Sequence, residues 1–386
     1  MALAVREEWS ALGHSLQESD AMSPEWMPSF LAVPRSAFLP EVFWPFDMDT
    51  GKVMEVDRRT APEEWESFAS ADMPLVTQWD DGKGHGPGKM PTSSASMPTV
   101  VVRMLGDLDA QPGHRVLEIG TGTGWNAALL AHRLGPDRVV TIEIDSNVAT
   151  AARDRLAAAG LLGTVLTRDG ALGDPAGAPY DRIIATAGLR QIPGAWLEQV
   201  RDRGVIVAPW GTHFGNEDAI VRLTVTADGA SGPFTRAAEF MKVRAQRLAF
   251  DGHSAYVPDG VGGASRSTTE VTEAELLGSG RFEARTFALG LRVPDCHCTV
   301  ADKRDGARPV WFFGLTDRSW ACVMFRDGRQ TTVWQSGDRE VWHEVTAALR
   351  WWQDAGEPGY DRFGLTVTKD GAQHAWLDTP ENSWPV

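Results

Sequence analysis

The chain has 386 residues, of which 42% are hydrophobic, and this length suits two domains or one large one. Its 37 basic and 52 acidic residues give a net charge of −15, which disfavours nucleic-acid partners because so negative a surface repels phosphate backbones. No stretch approaches the ~20 apolar residues of a membrane span, and the start of the chain lacks the basic-then-apolar order of a secretion signal. We therefore expect a cytoplasmic protein without a membrane partner. We also expect a monomer.

The sequence from 115 to 244 predicts a parallel sheet covered on both faces, because near-continuous apolar strands alternate with amphipathic helical stretches. The predicted strands are 115–120, 138–145, 164–170, 180–188 and 205–211, and the predicted helices are 125–135, 147–161 and 192–204. Two further strands within 219–244 surround a glycine-containing turn and predict an antiparallel hairpin that closes the sheet. The expected fold class is α/β and Rossmann-like, preceded by a helical segment over 1–80.

A second, α+β domain is expected over 246–386, after a catalytic domain over 1–245. Residues 253–270 are rich in glycine and serine and predict a loop. Short strands are predicted at 281–289, 309–315, 320–325 and 331–335, and hairpins at Asp327-Gly328 and Asp370-Gly371. Between these hairpins the apolar spacing from Val341 to Trp352 predicts a helix, capped by Asp338 and ended by Gly356.

Cysteine and tryptophan are the two residue types of this second domain that invite a functional interpretation. The three cysteines (Cys296, Cys298 and Cys322) are expected to be structural. The ligands in "DCHC" (295–298) lie too close in sequence to bind one tetrahedral zinc ion together, and the chain has no second Cys/His cluster. Eight of the 16 tryptophans fall after residue 310 and favour a separate core or a binding surface. We expect Trp342 and Trp352 to be buried and Trp351 to be exposed.

The segment "VLEIGTGTGWN" (116–126) predicts a nucleotide-binding loop at the end of a strand. Trp125 stands where a dinucleotide loop needs its third glycine, and no basic residue is present to neutralise a pyrophosphate. A nucleoside without phosphates fits better, and S-adenosylmethionine, which leaves S-adenosylhomocysteine, is the common one. Alternatively, the glycines form a tight turn without a ligand, and Glu143 is a solvated strand end.

The residues expected to bind the cofactor lie at the ends of three successive strands. Glu143, 23 residues after Gly120, can bind a ribose diol, and Asp169 can meet the adenine amino group. The complete set comprises Glu118, Gly120, Thr121, Gly122, Gly124, Trp125, Glu143, Ile144, Asp169 and Gly170.

Over about 30–244 the chain resembles the protein-L-isoaspartate O-methyltransferases. "LAVPRSAFLP" (31–40) looks like the Val-Pro-Arg-x-x-Phe-x-Pro motif of that family. "SSASMPTVVVRML" (93–105) is similar to its Thr-x-Ser-x-Pro segment, with Ser94 in place of threonine. "VLEIGTGTGWNAALLA" and "YDRIIATAGLRQIPGAWLEQV" resemble its cofactor loop and its fourth strand with the following helix. The resemblance implies a carboxyl methyltransferase that uses S-adenosylmethionine.

The resemblance also implies catalytic roles for Ser96 and Ser94, with Ser96 between the transferred methyl group and the substrate carboxylate. A second interpretation of Ser96 is a helix cap before Pro98. The glycine-rich stretch 80–91 is expected either to be a mobile loop over the site or to be a plain surface loop. The candidate substrate-binding residues are Lys83, His85, Lys89 and Ser93.

The C-terminal part of the chain indicates a more particular substrate. Repair enzymes of the family are expected to end near the position of residue 244, and "GYDRFGLTVTKDGAQHAWLDTPENSWPV" (359–386) resembles a bacterial subgroup that modifies ribosomal peptides. That resemblance implies methylation of an ordinary aspartate in a macrocyclic precursor peptide (lanthipeptide, graspetide or lasso peptide), followed by aspartimide and isoaspartate formation. The alternatives are a general isoaspartyl repair enzyme, a small-molecule carboxyl methyltransferase, and a cofactor-binding partner protein without activity.

Overall fold

The computed structural model describes residues 2–48, 50–84, 86–278, 280 and 282–386. The helices are α1 (Ala2–Glu18), α2 (Met27–Ala32), α3 (Pro62–Ser70), α4 (Pro98–Leu108), α5 (Trp125–Leu134), α6 (Ser146–Ala158), α7 (Gly194–Gln199), α8 (His253–Tyr256), α9 (Glu273–Leu277), α10 (Ala284–Arg292) and α11 (Val341–Asp354). The strands are β1 (Val42–Pro45), β2 (Val56–Asp57), β3 (Leu75–Trp79), β4 (Pro91–Ala95), β5 (Val116–Ile119), β6 (Val139–Glu143), β7 (Thr164–Thr167), β8 (Tyr180–Ala185), β9 (Val200–Trp210), β10 (Asp218–Thr226), β11 (Gly229–Ala238), β12 (Ser265–Thr269), β13 (Cys296–Val300), β14 (Ala307–Gly314), β15 (Trp320–Arg326), β16 (Thr331–Ser336), β17 (Phe363–Thr368), β18 (Gln373–Leu377) and β19 (Ser383–Pro385). In this part of the chain, no helix is long and apolar enough to cross a membrane.

Packing divides the chain into two compact units. The first comprises Met1–Ala187, Pro193–Ala208 and Arg222–Ala230, and the second comprises Gly188–Ile192, Pro209–Val221 and Ser231–Val386. Residues of β9, β10 and β11 are distributed over both units. The functional division at 245/246 stays a prediction, since these units are defined by contacts and not by role.

A parallel sheet with the order β9-β8-β5-β6-β7 organises the first unit. Its central strand β5 is buried at every position, as a strand covered on both faces must be. The carboxyl ends of β5, β6 and β7 therefore meet at one edge of the sheet, where ligands bind in folds of this kind. This arrangement confirms the predicted Rossmann-like α/β class.

The N-terminal segment of the first unit contains a small sheet, so the prediction of a helical segment was incomplete. Its strands lie in the antiparallel order β2-β1-β3-β4. Phe43 and Leu75 of this sheet pack with Trp65 of α3 in one buried cluster. The strands are only two to five residues long, too short to show an alternating pattern.

The helix predicted over 192–204 ends early, at Gln199. Strand β9 begins at Val200, which pairs with Tyr180 of β8, and a register irregularity follows before Val205 pairs with Arg182. Arg201, which is exposed on this strand, forms an ion pair of 2.6 Å with Asp181. Strand pairing therefore decides the conformation of a segment whose local composition favours a helix.

The second unit contains a five-stranded antiparallel sheet with the order β12-β16-β15-β14-β13. The two predicted hairpins are confirmed, since β15 pairs with β16 and β17 pairs with β18, each across an Asp-Gly turn. Residues 265–269, predicted as loop, form strand β12, an exposed polar edge strand that carries no hydrophobic pattern. The remainder of the predicted loop includes the short helix α8.

The strand predicted over 281–289 is wrong, because residues 284–292 form helix α10. Ala284, Phe287, Ala288 and Leu291 are buried, and their spacing places them on one helical face. Phe287 packs edge-on against Phe234, with a distance of 5.0 Å between ring centroids. The prediction was wrong because a short apolar run fits both periods, and the buried positions of this run follow the period of a helix.

Helix α11 forms where it was predicted, but Asp338 does not cap it. The N-cap residue is Glu340, which makes no side-chain capping bond. Trp342 and Trp352 are buried as predicted, at 3% and 5% exposure. Trp351 is half-buried beside the Arg292 guanidinium, which lies 4.8 Å from the ring centroid.

Candidate active site

The loop between β5 and α5 presents bare backbone at the edge of the parallel sheet. Gly120, Gly122 and Gly124 have φ values of 96°, 54° and 91°, a region in which residues with a Cβ are strained. A Cβ on Gly120 would lie 2.8 Å from the Thr186 hydroxyl. The loop therefore requires glycine for its conformation and lets a ligand approach the main chain.

Glu118 lies beneath this loop and faces the protein interior. Its side chain is fully buried, and its two carboxylate oxygens accept hydrogen bonds from Asn126 Nδ2 (2.6 Å) and Thr141 Oγ1 (2.5 Å). Burial raises the pKa of the Glu118 carboxyl to about 7, although those two hydrogen bonds oppose the rise. Thr121 and Thr141 share a further hydrogen bond of 2.7 Å. The side chains of Glu118 and Thr121 are therefore buried and hydrogen-bonded beneath the loop, and their contact with the cofactor stays a prediction.

Glu143 ends β6 beside the glycine loop, as predicted from the spacing. Its carboxylate accepts hydrogen bonds from the Gly122 N–H (3.0 Å) and the Asp145 N–H (3.1 Å), and it stays half-exposed. The next side chain, Ile144, is 42% exposed, which leaves an apolar surface next to the carboxylate. A carboxylate with an apolar neighbour suits a nucleoside, whose ribose carries a diol and whose base has an apolar face.

Asp169 and Gly170 follow the end of β7, on the other side of β6 from the glycine loop. Asp169 accepts a hydrogen bond from the Ala171 N–H (2.9 Å), and the Gly170 carbonyl accepts one from Trp196 Nε1 (2.9 Å). A Cβ on Gly170 would meet Ile119 of β5 at 2.4 Å. The structure therefore brings the third predicted contact point to the same sheet edge as the first two.

Strand β4 carries the serine segment to the glycine loop. A Cβ on Gly122 would lie 3.5 Å from the Ser94 carbonyl oxygen and 4.0 Å from Ser93 Oγ. Ser93 Oγ accepts a hydrogen bond from Thr77 Oγ1 (3.3 Å), whereas the hydroxyls of Ser94 and Ser96 have no hydrogen-bond partner within the described chain. The serine segment therefore approaches the loop that we expect to hold the cofactor, and the hydroxyls of Ser94 and Ser96 are not used in bonds within the described chain.

The interpretation of Ser96 as a helix cap is wrong. Helix α4 begins at Pro98 with Met97 at the N-cap position, and no N-cap side chain bonds to the helix. Asp72 from another segment takes this function, since its carboxylate accepts hydrogen bonds from the Thr99 N–H (2.8 Å) and hydroxyl. The Ser96 hydroxyl is consequently not needed to satisfy the helix end.

The 80–91 segment is organised by Asp80. The Asp80 carboxylate accepts hydrogen bonds from the N–H groups of Lys89 and Met90, both at 2.9 Å. The side chains of Lys83 and Lys89 are exposed to solvent, and His85 lies outside the described residues. The role of these residues in substrate binding remains a prediction.

Trp125 faces away from the loop and packs against the N-terminal helices. It is 2% exposed, and its indole N–H donates to the Val33 carbonyl at 3.0 Å. Its ring contacts Trp9 and Phe30, at centroid distances of 5.8 Å and 6.3 Å. Trp125, which follows the third glycine, thus packs helix α5 against α1 and α2.

Sequence reasoning missed the residues that hold the loop and the serine segment in place. Asn126, Thr141 and Thr186 bond to the loop or to the residues beneath it, and Arg35 and Asp72 bond to the segment around Ser96. Asp145 was also missed, although an aspartate between a strand and a helix is an ordinary N-cap signal, and it caps α6. In the described part of the chain, no three His, Cys, Asp or Glu residues are grouped so as to hold a metal ion.

Comparisons with known proteins point to one family of methyltransferases. The model of the protein-L-isoaspartate(D-aspartate) O-methyltransferase family matches residues 46–232. The protein-L-isoaspartate O-methyltransferase of Methanopyrus kandleri is 38% identical over 166 residues, which are 42% of this chain and 68% of the relative. The enzyme of the same name from Ignicoccus hospitalis is 39% identical over 160 residues, covering 41% of this chain and 70% of the relative.

A solved structure extends the similarity of fold beyond the matched region. A protein titled protein-L-isoaspartate O-methyltransferase superposes with a TM-score of 0.53 and 18% identity, covering 97% of this chain and 100% of that chain. The expectation that enzymes of this name end near residue 244 is therefore wrong for that protein.

Proposed function

Because the chain belongs to the protein-L-isoaspartate O-methyltransferase family and is an S-adenosylmethionine-dependent carboxyl O-methyltransferase, we propose that it esterifies the free carboxylate of isoaspartyl residues in proteins or peptides. The observation that carries the proposal is the approach of β4 to the glycine loop, where a Cβ on Gly122 would lie 3.5 Å from the Ser94 carbonyl oxygen and 4.0 Å from Ser93 Oγ. The relatives from Methanopyrus kandleri and Ignicoccus hospitalis, which share more than a third of their aligned residues with this chain, both bear the name of this activity.

The residues present fit the cofactor. The main chain at Gly120 and Gly122 is open to close approach, and Glu143 is placed for a ribose diol. Ile144 and Asp169 suit the base, and the loop carries no cation that would select a phosphate. When bound, the cofactor supplies a methyl group on a sulfonium.

The hydroxyls of Ser94 and Ser96 match the demands of carboxylate methylation. A carboxylate with a pKa near ~4 is ionised at neutral pH, so the reaction needs no general base. Opposite charges are lost as the methyl group moves, and water that solvates those charges slows the reaction. Two small hydroxyl donors can orient the carboxylate without a strong ion pair that would stabilise it before reaction. The role of Ser96 is to hold the attacking oxygen in line.

The macrocyclic peptide substrate is a second proposal, supported by the resemblance of residues 359–386 to the peptide-modifying subgroup. Four C-terminal tryptophans are half-buried and offer aromatic surface to a shaped peptide, namely Trp311, Trp334, Trp351 and Trp384. The other four are buried and serve the core of the second unit. We rank this proposal second, since an enzyme named for isoaspartate has a comparable fold over nearly the whole chain.

Transfer of a labelled methyl group to matched peptides tests the two proposals. Three acceptors are compared: a linear isoaspartyl peptide, the same peptide with ordinary aspartate, and a thioether-cyclised peptide with aspartate in the ring. Turnover of the isoaspartyl peptide alone supports the first proposal, and turnover of the cyclic aspartyl peptide alone supports the second. Labelling of none of the three would contradict both proposals.

Ser96→Ala tests the site itself. The variant should bind S-adenosylmethionine with the wild-type Kd and lose methyl-transfer rate by about 10²-fold, the order expected when a reacting group is no longer oriented. Thr150→Ala, which removes an exposed hydroxyl on α6, is the matched control and should turn over normally. A wild-type rate for Ser96→Ala would remove Ser96 from the mechanism.

A further inference from the structure

A buried guanidinium lies behind the serine segment, and the reaction described so far gives it no role. Arg35 follows Pro34 and is 0% exposed. Each of its five N–H groups donates to a backbone carbonyl: Nε to Ala69 (3.0 Å), Nη1 to Met73 (2.8 Å) and Ser96 (3.1 Å), and Nη2 to Phe68 (2.9 Å) and Ala71 (2.7 Å). The complete donor capacity of one arginine is thus used on the main chain.

These five carbonyls belong to two separate segments. Four come from the end of α3 and the turn that follows it, where the last helical carbonyls have no partner within the helix and favour a cation. The fifth is the carbonyl of Ser96. Arg35 therefore ties the 68–73 turn to the residue between β4 and α4.

The same turn also holds the other side of Ser96. Asp72, between two residues whose carbonyls bond Arg35, accepts hydrogen bonds from the Thr99 N–H and hydroxyl. Residues 96–99 are thus held at both ends by one turn. Since the Ser96 hydroxyl has no hydrogen-bond partner among the described residues, its position depends on the main chain, which these two attachments help to hold.

We propose that Arg35 is a positioning residue for methyl transfer, which acts by fixing the Ser96 main chain, with Asp72 as the second attachment. The inference rests on the role proposed above for Ser96. A displacement of a reacting group by about 1 Å can cost roughly 100-fold in rate, so the geometry of this attachment controls turnover.

Lysine cannot replace this arginine. Its ammonium has three N–H donors against the five carbonyls that Arg35 satisfies, and it lacks the planar fork that reaches two segments at once. Burial lowers the pKa of the Arg35 guanidinium to about 9, and Asp72 opposes that change. The guanidinium therefore remains charged at neutral pH and keeps its donors.

The test compares Arg35→Lys with Arg133→Lys in the full chain. Arg133 also donates to two main-chain carbonyls of the first unit, those of Ala110 (3.1 Å) and Glu25 (2.7 Å), and shares no partner with Arg35. At temperatures where circular dichroism shows each variant folded, Arg35→Lys should lower kcat roughly 10- to 100-fold with an unchanged Kd for S-adenosylmethionine. Arg133→Lys should lower Tm and leave kcat unchanged.

A double variant separates positioning from general loosening. If Arg35 acts through Ser96, Arg35→Lys should slow wild type but add little in the Ser96→Ala background. Equal slowing in both backgrounds, or a wild-type kcat for folded Arg35→Lys, would overturn the proposal. A wild-type rate for Ser96→Ala alone would instead show that the proposed role of Ser96 has failed, and the inference falls with it.

Thr99→Val keeps the test available if Arg35→Lys does not fold. This change removes the hydroxyl that Asp72 binds and keeps the Thr99 N–H bond. We expect a several-fold lower kcat and an unchanged Kd for S-adenosylmethionine. An unchanged kcat in this variant would contradict the proposed attachment of Ser96 through the 68–73 turn.

Discussion

Replacing Glu118 by glutamine should remove a pH dependence from the stability of the protein. Burial raises the pKa of this carboxyl from an ordinary 4.5 to about 7 in the folded chain. Between these values the folded state holds a proton that the unfolded state has lost, so the free energy of unfolding falls as pH rises. A pKa difference of this size corresponds to about 3.5 kcal/mol, at about 1.4 kcal/mol per pH unit.

Glutamine imitates the protonated carboxyl, because each is uncharged and offers one carbonyl oxygen beside a donor group, an O–H in the acid and an NH2 in the amide. Asn126 Nδ2 can still donate to the carbonyl, and the Thr141 hydroxyl can turn to accept from the amide. The free energy of unfolding of Glu118→Gln should therefore rise relative to wild type by about 2–3 kcal/mol between pH 5 and pH 8.

Urea denaturation followed by tryptophan fluorescence, at intervals from pH 5 to pH 8, measures this difference. Other titrating groups affect both proteins alike and cancel in the comparison. Glu64→Gln, an exposed change on α3, is the control and should give a curve parallel to wild type. If the Glu118→Gln curve also ran parallel to wild type, the buried carboxyl would not carry the proton that we assign to it.

Two further substitutions separate the ligand-facing side of the glycine loop from its support. Gly120→Ala should weaken S-adenosylmethionine binding at least about tenfold, as measured by calorimetry. Residue 120 has φ 96°, and the new methyl group would lie 2.8 Å from the Thr186 hydroxyl, so the loop must change shape. An unchanged Kd would show that the loop backbone does not contact the cofactor. Trp125→Phe should destabilise the protein by about 1–3 kcal/mol through loss of the buried bond to the Val33 carbonyl, with the Kd for S-adenosylmethionine unchanged. A weaker Kd for that variant would return Trp125 to the cofactor site.

Sequence patterns predicted the elements whose signal is local. Strands β5 and β6 are continuous apolar runs, and the glycines between β5 and α5 occupy left-handed backbone positions that few other residues adopt. The spacing from Gly120 to Glu143 correctly placed a carboxylate beside the loop, where it bonds the Gly122 N–H. Each of these inferences depends on residues that are close in sequence, or on the strand-helix-strand order that recurs in parallel sheets of this kind.

Long-range contacts limited the other predictions. Val200 joins strand β9 because it pairs with Tyr180 of the neighbouring strand, not because of its neighbours in sequence. The edge strand β12 exists because it pairs with β16, some 66 residues further along the chain. Propensity over a short window carries no information about such partners.

By itself the sequence determined the fold class, the cofactor loop and the family, because these depend on periodicity and on motifs that keep their spacing. Only the tertiary structure decided which side chains of those motifs point into the protein. Glu118 and Trp125 flank the glycines in sequence, yet both side chains point into the protein. Glu118 does so because β5 is covered on both faces, and Trp125 because α5 packs against the N-terminal helices. Arg35 lies 61 residues before Ser96 and reaches its carbonyl because α3 and β4 fold around one buried guanidinium, whose five donors had to find acceptors inside the protein.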